Sequence, residues 1–113
     1  MKVIEVNGKE YEIKFTINTL VRMEEDGIDV MHMENLMNNM NFALIRKLFY
    51  YGLINSAGKS LTVNKAGDMM DEYLENHNYR DLMTALLSEL ARALGYDVDA
   101  KNKAEESDEE AGK

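Results

Sequence analysis

From Lys2 to Phe15 apolar and polar residues alternate: Ile4 and Val6 precede Asn7-Gly8, and Tyr11, Ile13 and Phe15 come after it, spaced by Glu12 and Lys14. Alternation puts the apolar side chains on one face of an extended chain, and Asn-Gly accepts the positive φ that a type I′ turn needs at both central positions. The pattern predicts a β-hairpin with strands at about 2–6 and 10–15 and Asn7-Gly8 in the turn. After Phe15 the period changes from two to between three and four, the helical repeat. Thr16 is placed to cap a first helix carrying Ile17, Leu20, Val21 and Met23, and Gly27 to end it.

A second, weaker helix is expected from Met33 to Met40, with Met33, Leu36, Met37 and Met40 on one face, and Asn41 is placed to cap the next helix. Phe42, Ile45, Leu48, Phe49 and Leu53 mark this third helix, whose last turn holds Gly52-Leu53-Ile54, with Asn55 to Ser60 as a polar connection. Thr62 opens a fourth, carrying Ala66, Met69, Met70, Tyr73 and Leu74 on one stripe. Asn78 opens a fifth, with Leu82, Met83, Leu86, Leu87, Leu90 and Leu94 on a broad apolar face and Gly95 at its end. That breadth makes the fifth helix the expected centre of the core.

The pattern stops at Tyr96. Beyond it lie seven acids, three lysines and a single branched aliphatic residue, Val98, too little apolar surface to offset the entropy of ordering the segment. The expected fold is therefore mainly α: one small domain over residues 1–95, an N-terminal β-hairpin followed by about five short helices, with a disordered acidic tail at 96–113.

Length supports one domain, since 113 residues suffice for a single modest core. The absence of cysteine excludes disulfides, thiolate metal sites and thiol nucleophiles. No continuous apolar run resembles a signal peptide or approaches the roughly 20 residues that span a bilayer, so a soluble protein with no membrane partner is expected. The formal charge of −8, from 21 acidic and 13 basic residues, repels phosphate backbones and argues against nucleic acid as a partner.

Candidate chemistry is sparse. In GLINSAGKS, residues 52–60, the ending suggests a phosphate-binding loop. The motif G-x-x-x-x-G-K-[ST] needs glycine where Leu53 stands, and it needs a strand before it where the pattern gives a helix. His32 and His77 have no second ligand nearby, so neither a metal nor any other cofactor is indicated. The acidic runs Glu24-Glu25-Asp26 and Asp71-Glu72 read as solvated helix faces, and no catalytic residue is assigned. A winged-helix-like DNA binder would need a basic recognition helix, yet the fifth helix offers only Arg80 and Arg92, on a face shared with Asp81 and Glu89.

What remains is apolar surface. Nine methionines and no proline occur in the chain, with Met31, Met33, Met37 and Met40 clustered between the first and third helices. Such side chains fill irregular core space or make adaptable contact surfaces. In the second case Met33, Met37 and Met40, with Tyr50 and Tyr51, are the candidate partner-binding residues.

The opening hairpin running into EIKFTINTLVRMEEDGI, the helix ending LFYYGLIN, the stretch SLTVNKAGDMMDEYLENH and the last amphipathic helix together resemble the tail assembly chaperones of long-tailed phages and prophages of Gram-positive bacteria. The resemblance spans residues 1 to about 95 and departs in one place, where Ala57-Gly58-Lys59-Ser60 replaces a connection in which family members often carry proline. It implies a non-enzymatic protein of the host cytoplasm, absent from the mature virion, that binds the tape measure protein and keeps it soluble while the tail tube assembles. It also implies a longer form made by ribosomal frameshifting that engages the tail tube protein, as slippery codons for Gly112-Lys113 would allow, and it leaves room for a homo-oligomer. The alternative from another class is a small DNA-binding regulator of a phage or mobile element.

Overall fold

The computed structural model describes residues 2–96; of the acidic tail expected at 96–113, all but Tyr96 lies outside the described residues. The order of elements is β1 (Lys2–Val6), β2 (Lys9–Ile13), α1 (Ile17–Glu25), α2 (Met33–Asn38), α3 (Phe42–Ala57), α4 (Val63–Leu74) and α5 (Tyr79–Ala93). An N-terminal hairpin followed by five helices is the architecture the pattern predicts. Among the described residues no helix is long and apolar enough to cross a membrane.

β1 and β2 pair antiparallel with Val6 opposite Lys9 and Ile4 opposite Tyr11. Asn7 and Gly8 take φ of 53° and 81°, the positive values the turn requires. Ile4, Val6 and Ile13 are buried on the inner face. β2 stops at Ile13, short of the expected Phe15, because its next backbone group turns to a helix. The Lys14 N–H donates to the Gly52 carbonyl at 2.9 Å, and the Glu12 N–H donates to Ser56 Oγ at 3.1 Å. Gly52 makes this approach feasible, since a Cβ there would stand 3.1 Å from both Ile13 Cγ2 and Phe15 Cζ.

Four of the five helices start at a side-chain cap. Thr16, Asn41, Thr62 and Asn78 accept hydrogen bonds from the N–H groups of Thr19, Leu44, Lys65 and Asp81, at 3.1, 2.8, 3.1 and 2.8 Å. Each cap satisfies a donor that the helix itself leaves open and is worth about 1 kcal/mol. α2 lacks such a bond at His32, and it is six residues long. It ends at Asn38, so Met40 lies in the turn to α3.

α3, rather than α5, is the centre of the core. It packs against β2, α1, α4 and α5, and Ile45, Leu48, Phe49, Tyr51, Gly52 and Leu53 are all buried along it. α5 contributes Leu82, Leu86 and Leu90 from one side, while Met83, Leu87 and Leu94 lie at its margins. α3 also continues through Asn55, Ser56 and Ala57, which the pattern assigns to a polar connection, and stops at Gly58 with φ of 91°. Ser56 is polar for a reason: its hydroxyl is the acceptor for β2. In α1 the buried side is Thr19, Leu20 and Met23, whereas Ile17 and Val21, one turn apart, face solvent.

Candidate partner-binding surface

The two helices with the clearest caps also place two aromatic rings side by side in solvent. Phe42 is the first residue of α3 after the Asn41 cap, and Tyr79 the first of α5 after Asn78. Their rings meet edge to face, with centroids 5.6 Å apart at 67°. Phe42 is nevertheless 74 % exposed and Tyr79 41 %. Asn78 and Asp81 form a reciprocal capping box, which fixes how the chain enters α5 and so where Tyr79 stands. Across the short α2–α3 turn, Met37 is 55 % exposed.

The structure therefore redistributes the five residues expected at a partner surface. Met37 faces solvent, Met33 and Met40 are half-buried against the core, and the buried member of α2 is Leu36. Tyr50 is half-buried and lines a different hollow, of about 490 Å³, with Arg22, Ile54 and Lys59. Tyr51 is a core residue, and this corrects its expected place at the surface. Its ring packs edge to face on Tyr50, and its hydroxyl donates to Asp26 Oδ2 at 3.1 Å. Burial first, and the neighbouring Asp26 carboxylate second, push its pKa above the usual tyrosine value.

The helical pattern alone places Phe42 on the core stripe of α3 and gives Tyr79 no role. At helical spacing Phe42 does continue that stripe, but it occupies the first turn, where Asn41, Phe42 and Ala43 are all exposed and burial begins only at Leu44 and Ile45. The available signal is positional: an aromatic residue directly after an asparagine cap, twice in one chain.

The polar candidates take structural roles. Asp26, read as part of a solvated run, accepts from Tyr51 and from Lys47 Nζ at 3.3 Å. His32 Nδ1 lies 3.0 Å from Asp29 Oδ1, and Asn35 donates to Asp29 Oδ2 at 2.9 Å. These bonds, Asn35 first, hold the Asp29 carboxyl below its ordinary range. His77 stacks on Tyr73, centroids 4.2 Å apart and planes 6° from parallel. Glu89 is buried at 6 %, with Arg92 Nε 3.3 Å from its carboxylate. Among the described residues no group of three or more His, Asp or Glu side chains converges as a metal site would require. Lys59 comes after the Gly58 cap in an exposed turn, behind a helix and not behind a strand. No protein-family model, curated protein or solved structure matches the chain.

Proposed function

We propose that the chain is a non-enzymatic phage tail assembly chaperone that binds helical segments of the tape measure protein through the surface around Phe42, Tyr79 and Met37. The observation that carries this reading is the exposed Phe42–Tyr79 pair. The core closes without these rings, and the caps set the backbone that carries them, so they offer apolar area on a fixed frame. Met37 adds a side chain that adapts to varied partners. A helical client waiting for a tube to polymerise around it exposes an apolar stripe of its own, which this surface would cover while a formal charge of −8 keeps the complex dispersed. The resemblance of the hairpin, of LFYYGLIN and of SLTVNKAGDMMDEYLENH to that family points the same way. On this reading the protein acts in the host cytoplasm and does not enter the finished particle.

The test is co-purification of a tape measure protein with the wild-type chain and with a Phe42→Glu, Met37→Glu double variant. The expected result is at least a tenfold drop in recovered client with an unchanged melting temperature. Undiminished recovery excludes this surface. Retardation of labelled duplex DNA at low salt, lost as salt rises, would favour the rival reading as a small regulator.

A further inference from the structure

The hairpin has two edges, and among the described residues only the β2 edge is hydrogen-bonded to another element. Glu12 and Lys14 point their N–H groups outward from β2 to α3, so Lys9, Tyr11 and Ile13 face β1 and pair with Val6, Ile4 and Lys2. The backbone groups of Val3 and Glu5 are then directed away from β2. Among the described residues no hydrogen bond reaches either N–H. This edge of β1 borders a groove of about 520 Å³, whose far wall is Tyr73 of α4, His77 in the turn after it, and the face of α5 that carries Arg80, Asp81, Thr84 and Glu89. Charge on the outer face is lopsided. Glu5 stands directly opposite Glu10, and Glu12 opposite Val3, which is 52 % exposed.

We propose that the β1 edge is a docking site for an extended segment of a partner protein, added as a third strand, with lysine or arginine at alternate positions on the outer face beside Glu5. An unpaired edge offers a ready row of donors and acceptors. The groove gives the added strand's inner side chains room between β1 and α5. Like charges placed opposite each other destabilise a sheet and opposite charges stabilise it, so a basic residue next to Glu5 relieves the Glu5–Glu10 conflict. The same charges decide against a second copy as occupant. Pairing β1 with another β1 would gather the outer-face glutamates of both copies on one sheet, between chains of formal charge −8 each. The inference is independent of the surface around Phe42, because it concerns main-chain recognition of an extended segment and not apolar recognition of a helix.

The test uses the full chain and two synthetic strand-forming peptides, one alternating lysine with valine and one alternating glutamate with valine. The expected result is that the lysine peptide binds and slows hydrogen exchange at the Val3 and Glu5 amides, and that Val3→Pro weakens binding at least tenfold. Proline at position 3 removes an N–H that the β1–β2 ladder does not use, so the melting temperature should hold. Glu5→Lys, which leaves every backbone group in place, should also lose the lysine peptide. Binding without protection of those two amides overturns the proposal, and so does equal binding of the glutamate peptide. A dimer in sedimentation that Val3→Pro abolishes overturns it in favour of self-pairing.

Discussion

α2 and α3 are neighbours in sequence, both rich in apolar residues, and the fold treats them in opposite ways. α3 is 16 residues long, begins at an asparagine cap and buries residues around most of its circumference. α2 has six residues and no side-chain cap, and it commits only Leu36 fully to the interior. The difference teaches that apolar content alone does not assign a helix to the core. What assigns it is how many elements can reach it, and α3 is approached by a strand and three helices. Of the methionines around α2, Met31 and Met37 face solvent and Met33 and Met40 are half-buried.

The largest test of this contrast is Phe49→Ala. Phe49 is 0 % exposed, and removing a buried aromatic side chain from a packed interior costs about 3–5 kcal/mol, enough to unfold a marginal domain. Thermal melting should show the whole domain lost in one transition. Leu36→Ala sharpens the comparison, since it makes the same kind of cavity under the smaller element. A loss of about 2 kcal/mol is expected, at the low end for such changes because a short uncapped helix can settle into the space. A loss equal to that of Phe49→Ala would show α2 to be as integral as α3.

A smaller effect belongs to the link between α3 and the end of α1. Tyr51→Phe removes the hydrogen bond to Asp26 and should cost about 1 kcal/mol at neutral pH. It also carries a pH signature. Folding raises the Tyr51 pKa, so the unfolded chain releases its proton first as pH rises, and the stability this group contributes is present below the ordinary value of 10.0 and lost above it. Tyr73, raised mainly by burial and then by Asp81, acts in the same direction. Urea titrations from about pH 8 to about pH 11.5, a window that brackets tyrosine ionisation, should show the wild type losing more stability than Tyr51→Phe. The smallest effect is reserved for α2 itself: Met37→Ser should change stability by less than about 0.5 kcal/mol, as expected at an exposed site.

Much of this fold is legible in the residues. Asn7-Gly8 announces the hairpin, and Thr16, Asn41, Thr62 and Asn78 each sit where a helix starts, because turns and caps are decided by a few neighbouring groups. What escapes is decided at a distance. Tyr51 is buried with its hydroxyl satisfied by Asp26, at the end of α1 and distant in sequence. α3 outruns its apolar pattern because Ser56 serves a strand. Glu89, an acidic residue on the face it shares with Arg80 and Arg92, is buried. The candidate surface is half legible: Met37 is where the methionine cluster suggests, whereas Phe42 and Tyr79 become partners only when the starts of α3 and α5 come together.

The bonds from β2 to Gly52 and Ser56 bear on how the chain is made. A two-stranded hairpin alone is marginal in water, and this one is anchored to a helix some forty residues further along the sequence. Within this domain the hairpin leaves the ribosome before the helix that anchors it. The hairpin gains that anchor only once α3 has cleared the exit tunnel, so contacts distant in sequence gate the folding of this domain.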